Sequence, residues 1–281
     1  MLLDGKSVSN EILQNLKKEV SKYSKKPGLA VILANSNPAS RIYVSSKEKR
    51  AQELGFQSSV YKFGQNVSQK EIIKLIKELN EDKNTHGILV QLPLYGHLNE
   101  EEIIEAINPK KDVDGFHPVN KGKLQSGLKP YAICCTPLGI IKLLEYYNID
   151  IEGKNALVIG RSNIVGKPMA QLLLQKNATV TIAHSKTKDL KSYTKHADII
   201  ISATGTPDIL KANMIKKGAV VVDVGIIRDF KGKVHGEVEF NKIKDIASYI
   251  TPVPGGVGPM TIAMLMQNTY NLFLEAQNAK L

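Results

Sequence analysis

Short apolar, β-branched runs alternate with segments of helical periodicity along almost the whole chain. In the first half, the apolar runs predict strands over residues 29–33, 57–63 and 87–92. In the second half, a further series predicts strands over residues 156–159, 179–183, 198–202, 219–224 and 249–251. Strands that alternate with helices build βαβ units, so the pattern predicts an α/β protein with parallel sheets.

Capping signals place helices between the strands of the first half. We expect one helix over about 38–54, ended by Gly55, and a second that opens with a capping box of Ser68 and Glu71. Asn99 caps a third, which runs to about residue 107. Each helix therefore has a start or stop signal of its own, independent of its apolar pattern.

The segment 108–131 has little periodicity and is rich in proline, glycine, lysine and aspartate. A loop of this length inside a compact protein is usually functional. Beyond it, Thr136 and Pro137 are predicted as the N-cap and first residue of a helix that links two domains. We place the first domain at 1–136 and the second at 137–261, where the strand rhythm is typical of a doubly wound, Rossmann-like sheet.

The composition favours a packed globular protein, because 42% of residues are hydrophobic and 23% are charged. The start of the chain lacks the apolar stretch of a signal peptide, and no apolar run is long enough to cross a bilayer. Cys134 and Cys135 are adjacent and there is no CxxC pair, which favours a reducing compartment. We therefore expect a cytoplasmic protein with no membrane partner. The histidines lack ligand spacing, and we expect no metal site.

The formal net charge of +11 allows two interpretations. A basic surface is typical of nucleic-acid-binding proteins. However, the lysines are spread along the whole chain, tryptophan is absent, and no known nucleic-acid-binding motif is present. The charge therefore favours a solvated, lysine-rich surface that attracts anionic small molecules, and we expect no nucleic-acid partner.

A glycine-bounded turn follows the strand at 156–159. A Rossmann domain binds a dinucleotide pyrophosphate at this position, on backbone N–H groups at a helix N-terminus. The match is imperfect, because Ser162 stands where the GxGxxG pattern has its second glycine, and an ordinary strand–turn–helix is the alternative. A P-loop is excluded by the glycine spacing and by Pro168 at the magnesium-binding position. The residues assigned to cofactor binding here are Gly160, Arg161, Ser162, Ile164, Val165 and Gly166.

The end of the next strand decides between the two nicotinamide cofactors. Rossmann proteins that prefer NAD usually carry an acidic residue there, which binds the ribose hydroxyl. This chain has no carboxylate in the segment 184–187, whereas Arg161, Ser185 and Lys186 can bind a 2′-phosphate. The sequence therefore favours NADP. We also assign Thr204, Gly205 and Ile226 to the cofactor site.

In the first half, Tyr43 and Lys47 stand at i and i+4 and share one face of the predicted helix. Gln91 ends a buried strand, where a polar side chain usually has a specific partner. The acidic pair Asp112 and Asp114 lies in the long loop. Taken separately, these features also fit an amphipathic helix with a solvated lysine and a charged turn.

Together the segments resemble a known family. They are NPASRIYVSSK at 37–47, VQLPL at 90–94, KDVDGF at 111–116, GRSNIVG at 160–166 and TPVPGGVGPMT at 251–261. In this order, across nearly the whole chain, they are similar to motifs of the bifunctional methylenetetrahydrofolate dehydrogenase/methenyltetrahydrofolate cyclohydrolase family. One departure is Cys134, where the family commonly has proline before the linking helix.

The resemblance implies a folate cleft between the two domains, with a C-terminal helix (262–281) that completes the first. It implies that Tyr43 packs on the pterin side of the folate, that Lys47 is the main catalytic residue, and that Gln91 contacts it. Asp114 would hold the pterin N–H groups, a role that suits a carboxylate accepting two parallel hydrogen bonds. The residues assigned to catalysis are Lys47, Tyr43, Gln91 and Asp114. Those assigned to substrate binding are Tyr43, Gln91, Leu92, Pro93, Asp114, Pro254, Gly255 and Gly256.

The implied activity has two steps. 5,10-Methylenetetrahydrofolate is oxidised with NADP to 5,10-methenyltetrahydrofolate, which is then hydrolysed to 10-formyltetrahydrofolate. The resemblance also implies a homodimer that associates through the nucleotide domain. Three alternatives remain open at this point: a monofunctional, NAD-linked dehydrogenase of the same family, a shikimate dehydrogenase-like enzyme, and a basic nucleic-acid-binding protein.

Overall fold

The computed structural model describes residues 1–229 and 232–278. Its helices are α1 (Gly5–Ser21), α2 (Pro38–Glu53), α3 (Gln69–Glu81), α4 (Glu100–Glu105), α5 (Pro118–Gln125), α6 (Cys135–Tyr146), α7 (Gly166–Gln175), α8 (Leu190–Thr194), α9 (Phe240–Ile243) and α10 (Val257–Asn278). Its strands are β1 (Gly28–Leu33), β2 (Gln57–Lys62), β3 (Gly87–Gln91), β4 (Asn155–Ile159), β5 (Thr179–Ala183), β6 (Ile199–Ser202), β7 (Val220–Asp223), β8 (Ile227–Arg228), β9 (Val234–His235) and β10 (Tyr249–Ile250). No helix in these ranges is long and apolar enough to cross a membrane.

The chain divides into two compact units. The first unit holds Glu11–Ile133 and the chain from Ile262, and the second holds Met1–Asn10 and Cys134–Thr261. The N-terminal residues differ from the expected domain assignment. Residues 1–10 group with the second unit because the Leu3 N–H donates to the carbonyl of Ile250 (2.9 Å) and Leu2 forms a parallel bridge with Ile250.

The first unit is built on a three-stranded parallel sheet with the order β2-β1-β3. The central strand β1 is buried along its whole length, as its continuous apolar sequence predicts. The capping box of Ser68 and Glu71 at the start of α3 is confirmed. The apolar face of α3, with Ile72 and Ile76, packs into the same core as Ile32 and Ile88.

The prediction of an unstructured loop over 108–131 is partly wrong, because it contains helix α5. The His117 side chain caps this helix by accepting a hydrogen bond from the Val119 N–H (3.1 Å). Buried Asp112 accepts from the His117 N–H (2.8 Å) and from Nδ2 of Asn120 (2.9 Å). The helix has only eight residues, few of them apolar, so no periodicity announces it.

The second unit is built on a five-stranded parallel sheet with the order β10-β7-β6-β4-β5. Counted within the unit, this is the doubly wound order 2-1-3-4-5. The direction of winding reverses between β4 and β6, and ligands of such sheets bind outside the carboxyl ends of the strands at that point. The predicted Rossmann-like sheet is confirmed.

Three helix starts differ from the prediction. Helix α6 begins at Cys135, so Thr136 is not its N-cap, and the Thr136 hydroxyl pairs instead with that of Thr261 (2.9 Å). Helix α10 begins at Val257 rather than near Thr261, and Pro259 is tolerated there because it lies in the first turn. Helix α1 was not predicted at all, although Asp4 caps it by accepting from the Ser7 N–H (3.1 Å).

Candidate active site

Lys47 and Gln91 form a buried polar pair in the first unit. Lys47 is 8% exposed, and its Nζ donates to Oε1 of Gln91 at 2.9 Å. Nε2 of Gln91 donates to the backbone carbonyl of Leu92 at 2.9 Å, which fixes the orientation of the amide. The alternative of a solvated lysine is therefore wrong. The Lys47 amine is therefore held at the carboxyl end of β3 by Gln91, whose own orientation is fixed by Leu92.

Helix α2 delivers Lys47 because of the side of the helix on which it stands. The buried positions of α2 are Ser40, Val44, Lys47 and Ala51, which form one stripe with a spacing of three to four residues. The helix begins after Asn37, whose side chain accepts from the Ala39 N–H (2.9 Å), with Pro38 at the first helical position. Tyr43 lies beside this stripe and is half-buried.

Asn35 joins the two elements that carry this pair, and sequence analysis missed it. Its Nδ2 donates to the carbonyl of Pro93 (2.7 Å), and its Oδ1 accepts from the Asn37 N–H (3.0 Å). The residue is buried, so both bonds are formed away from bulk water. The available signal was its position, since it is a polar side chain two residues after a fully buried strand.

The two aspartates of the loop after α4 have different environments. Asp112 is 2% exposed and is used to hold the loop together, as described above. Asp114 is half-buried, two residues further on. The loop is held next to β3, because the Ile88 N–H donates to the carbonyl of Lys111 (2.7 Å). Of the two carboxylates, Asp114 is the more accessible to a ligand.

The glycines before α10 are explained by packing within the second unit. Gly255 has φ +110°, a conformation that side chains disfavour, and its carbonyl accepts from the Lys6 N–H (2.8 Å). A Cβ on Gly256 would lie 2.6 Å from the carbonyl oxygen of Pro252. We expected these glycines to admit a ligand, but the chain's own backbone already requires them. Pro254, the third expected substrate residue of this run, is exposed.

The turn after β4 fits a nucleotide. Gly160 has φ +124°, and a Cβ there would lie 2.2 Å from the carbonyl oxygen of Ala203, which follows β6. A Cβ on Gly166 would lie 2.3 Å from the carbonyl oxygen of Gly160. Only glycine permits helix α7 to start this close to the strand. The turn lies at the reversal of the sheet order, where a dinucleotide is expected.

The Ser162 side chain binds backbone amides at the start of the helix that follows this turn. Its hydroxyl accepts from the N–H groups of Val165 (3.1 Å) and Gly166 (3.3 Å). Two of the amides expected to bind a pyrophosphate are thus already hydrogen-bonded within the chain. Ser162 and Ile164 are exposed in the same turn.

Arg161, Ser185 and Lys186 are exposed at the ends of two adjacent strands. Strands β4 and β5 are paired up to Ile159 and Ala183, and the Gly160 N–H donates to the carbonyl of Ala183 (2.8 Å). The residues that follow therefore leave the sheet side by side. The 184–187 turn closes through the His184 N–H, which donates to the Thr187 hydroxyl (2.9 Å). This arrangement gathers positive charge where a 2′-phosphate is expected.

Sequence analysis missed two buried carboxylates near Thr204 and Gly205. Glu237 is fully buried and accepts from the N–H and hydroxyl of Thr204. Asp223, at the end of β7, is 2% exposed, and burial raises its pKa to about 6. No sequence motif contains either residue, because their hydrogen-bond partners lie in the folded chain, far away or in irregular segments. Ile226, the remaining expected cofactor residue, is 47% exposed.

Two family models match the chain, one in each half. The model of the "Tetrahydrofolate dehydrogenase/cyclohydrolase, catalytic domain" family matches residues 3–114, and that of its "NAD(P)-binding domain" matches residues 134–277. The bifunctional protein FolD of Streptococcus agalactiae is 53% identical over 279 residues, 98% of each chain. The crystal structure of the bifunctional FolD enzyme of Campylobacter jejuni has 52% identity and a TM-score of 0.95, with 99% of each chain covered. The Trypanosoma brucei enzyme, solved with NADP cofactor and an inhibitor, has 36% identity and a TM-score of 0.95, covering 99% of this chain and 98% of that one.

Proposed function

The chain belongs to the tetrahydrofolate dehydrogenase/cyclohydrolase family, and from this premise we propose which of its residues serve each of the two reactions. The protein is a bifunctional enzyme. It oxidises 5,10-methylenetetrahydrofolate with NADP and hydrolyses the resulting 5,10-methenyltetrahydrofolate to 10-formyltetrahydrofolate. The observation that carries the division of roles is the buried hydrogen bond between Lys47 and Gln91.

The oxidation depends on alignment. The bridge carbon of the substrate lies between two nitrogens, whose lone pairs stabilise the cation that forms, so no proton has to be moved by the protein. NADP, when bound, supplies the hydride acceptor. The protein's part is to hold the folate, which we assign to Tyr43, Asp114, Leu92 and Pro93, and positioning of this kind contributes much of the rate in such steps. We also propose Pro254, Gly255 and Gly256 as substrate-binding residues.

The hydrolysis depends on proton transfer. Water adds to the bridge carbon and loses both of its protons, one of which reaches the leaving nitrogen as the ring opens, while the other is released. We assign this transfer to the Lys47 amine, which Gln91 holds in place. Support comes from the rigidity of the pair. Because the Gln91 amide is fixed by the Leu92 carbonyl, its oxygen is directed at Nζ of Lys47.

The second unit fits the nucleotide, because Gly160 and Gly166 allow helix α7 to start close to the end of β4, at the reversal of the sheet order. We assign the phosphates to this turn and the 2′-phosphate to Arg161, Ser185 and Lys186. Thr204, Gly205 and Ile226 follow β6 and β7, at the same edge of the sheet. The absence of a carboxylate in the 184–187 turn favours NADP over NAD.

We also propose a homodimer that associates through the second unit. Strand β5 is the edge of its sheet, and Thr179, Thr181 and Ile182 are exposed there. A strand edge offers backbone groups with which a second copy can pair. We expect Ile182→Lys to weaken a dimer in sedimentation velocity, and a monomeric parent protein would contradict the proposal.

We propose a cytoplasmic location as well. The two buried cysteines form no disulfide, which supports a reducing compartment, and cell fractionation tests the location.

The two activities are tested on one preparation. Purified protein is given 5,10-methylenetetrahydrofolate with NADP or with NAD, and the reduced nicotinamide and the methenyl product are followed separately by absorbance. We expect reduction of NADP, followed by decay of the methenyl absorbance to 10-formyltetrahydrofolate faster than in protein-free buffer. Reduction without accelerated decay would instead identify a monofunctional dehydrogenase, and equal efficiency with NAD would overturn the cofactor assignment.

A further inference from the structure

Glu237 is a buried carboxylate whose hydrogen bonds all lead to one exposed loop. Its side chain is 0% exposed. It accepts from the Thr204 N–H (3.0 Å), the Thr204 hydroxyl (2.6 Å) and the Thr206 N–H (3.2 Å). Residues 204–206 are themselves exposed. A buried carboxylate is stable only when it is hydrogen-bonded, so this one requires the loop to keep its present conformation.

Asp223 fixes the segment that carries Glu237 to the sheet. Its carboxylate accepts from the N–H groups of Glu237 (2.9 Å), Val238 (3.1 Å) and Gly225 (2.9 Å). A Cβ on Gly236 would lie 1.9 Å from Oδ2 of Asp223, so the segment passes directly over this carboxylate. The Asp223 backbone is tied in turn to Thr251, whose hydroxyl accepts from the Asp223 N–H (2.7 Å). The two carboxylates thus connect the end of β7 to the loop after β6.

The loop that Glu237 holds borders the nucleotide turn. Ala203, the residue before Thr204, places its carbonyl oxygen where a Cβ of Gly160 would be. The Ala203 N–H donates to the carbonyl of Ile159 at 2.8 Å, at the carboxyl end of β4. A shift of the loop would therefore change the surroundings of the first glycine of the turn. This position is the reversal point of the sheet order.

We infer that Glu237 is a positioning residue for the cofactor. By fixing the Thr204–Thr206 backbone, it shapes one wall of the NADP site without touching the nucleotide itself. This inference rests on the proposed function, because it assumes that NADP binds at the turn after β4. The two Thr204 donors are occupied by Glu237, so the loop presents Gly205 and its exposed backbone to the ligand. Asp223 supports this arrangement indirectly, because it holds the backbone of Glu237.

The test uses Glu237→Gln in the full-length protein. Glutamine has nearly the same size, but its amide has only one acceptor oxygen. Its NH₂ group would face the N–H and hydroxyl donors of Thr204 and Thr206. We expect the Kd for NADP, measured by titration calorimetry without folate, to rise about 10- to 100-fold, the range expected when hydrogen bonds to a charged group are lost. The KM for NADP should rise with it, while kcat at saturating NADP changes less.

Hydrolysis of 5,10-methenyltetrahydrofolate with no cofactor added provides the internal control. That reaction does not use NADP, and the pair assigned to its proton transfer, Lys47 and Gln91, lies in the first unit, so Glu237→Gln should retain it within about twofold. A parallel loss of hydrolysis and NADP affinity would show a general structural role and overturn the inference. An unchanged Kd for NADP would overturn it as well. Failure of the proposed function would look different, because the parent protein itself would then lack NADP binding or hydrolysis.

Two further sets of variants sharpen the result. Glu239→Gln makes the same change two residues on, where the side chain accepts from the Ala212 N–H (3.1 Å) instead, and should leave the Kd for NADP unchanged. Thr204→Ser keeps the hydroxyl that donates to Glu237, whereas Thr204→Val removes it. Equal NADP affinity of these two variants would count against the inference even if Glu237→Gln failed to fold. Combining Thr204→Val with Glu237→Gln should add little to Glu237→Gln alone.

Discussion

Both units are built on a parallel sheet, but the first presents functional side chains at the sheet edge and the second presents mainly backbone groups. In the first unit, functional side chains stand directly on regular elements: Lys47 on the buried stripe of α2 and Gln91 at the end of β3. In the second unit, the corresponding sheet edge presents mainly backbone, shaped by Gly160 and Gly166 and held by Glu237. Proton transfer needs a side chain of suitable chemistry, whereas a phosphate needs N–H groups and space. On the proposed assignment, the side chains for proton transfer and the backbone that binds the cofactor therefore lie in different units.

Substitution of Lys47 should give the largest effect and test this separation most directly. Lys47→Met keeps most of the aliphatic stem but removes the amine that donates to Gln91. We expect hydrolysis of the methenyl substrate to fall about 10²- to 10⁴-fold, the usual contribution of a general acid–base group. The dehydrogenase should survive at a reduced level, with methenyltetrahydrofolate accumulating as its product. Both rates are measured on the same folded preparation.

Lys49→Met is the matched control, because Lys49 is exposed on the same helix. It should retain both activities. Hydrolysis by Lys47→Met within a few-fold of the parent would remove this residue from the mechanism. Equal loss of both reactions would instead make Lys47 a substrate-binding residue, and the contrast between the two units would be weaker.

Gly166 provides the opposite test, in which cofactor binding is lost and chemistry is retained. In Gly166→Ala the new Cβ would lie 2.3 Å from the Gly160 carbonyl oxygen, a backbone atom that cannot move aside cheaply. We expect NADP affinity to fall by roughly 10- to 100-fold, because relief of the clash has to move the start of α7 away from β4, at the usual overpacking cost of about 1–3 kcal/mol. Hydrolysis of the methenyl substrate without cofactor should continue. Titration calorimetry measures the first quantity and a stopped assay the second.

Gly122→Ala controls for the substitution itself. A Cβ there would meet nothing within 4 Å, and the residue lies inside helix α5. Alanine should therefore leave NADP affinity unchanged and increase stability by about 0.5–1 kcal/mol. Parent-like NADP affinity in Gly166→Ala would show that the close approach of α7 to β4 is not needed for binding.

The sequence pointed to the paired side chains of the first unit but not to Glu237 in the second, and their positions in the fold explain why. Gln91 has a local signal, because it is a polar residue at the end of a buried strand, whereas Lys47 alone also fitted a solvated lysine and was singled out by the family resemblance. Glu237 has no such signal, since it lies in an irregular segment between β9 and α9. Its importance comes from hydrogen bonds to residues about thirty positions away in sequence. Such a relation is a property of the fold and has no local signature.

The secondary structure shows the same limit on a smaller scale. Strands with continuous apolar sequences, such as β1, were predicted almost to the residue. Helix α5 was missed, because a cap from His117 and bonds to buried Asp112 stabilise it in place of an apolar stripe. The start of α6 was misplaced, because the Thr136 hydroxyl, a good cap in isolation, is bonded to Thr261. In α6 a tertiary contact outweighed the local preference, whereas α5 is held by short-range hydrogen bonds that leave no apolar pattern.

Arg161 tests how the second unit recognises its cofactor, with a smaller expected effect. Arg161→Ala removes one positive charge at the end of β4. The preference for NADP over NAD, measured as the ratio of kcat/KM values, should narrow by about 10- to 100-fold, as for loss of a hydrogen bond between charged groups. Hydrolysis should not change.

Lys154→Ala removes the same charge at the amino end of the same strand, roughly 20 Å away at about 3.3 Å per residue. It should leave the preference intact. An equal effect of the two substitutions would point to the general charge of the protein rather than to a phosphate contact.

Asp223 should give the smallest effect, a change in the pH dependence of stability. It tests whether burial of a carboxylate in the second unit has a measurable cost in free energy of unfolding. Burial raises the pKa of Asp223 to about 6, and the neighbouring Glu237 adds to the shift, although backbone donors oppose it. The native carboxyl therefore binds its proton more tightly than the unfolded one, whose pKa is near 3.9. Between these values the native state holds more protons, so this residue's contribution to stability increases as pH falls through 6. From pH 7 to pH 5 the gain should be about 1 kcal/mol.

The gain is measured as a difference between proteins, which removes the titration of all other groups. The free energy of unfolding in urea is determined at both pH values for the parent and for Asp223→Asn, and the parent should gain on the variant at pH 5. Asp198→Asn is the control of opposite sign, because Lys216 holds the pKa of Asp198 below its usual value. Stability from Asp198 is lost only as pH falls below about 4, so its parent–variant difference should stay flat between pH 7 and pH 5. If the parent–variant difference in unfolding free energy for Asp223→Asn also stayed constant between pH 7 and pH 5, the Asp223 carboxylate would remain ionised in that range, and its burial would carry no measurable cost.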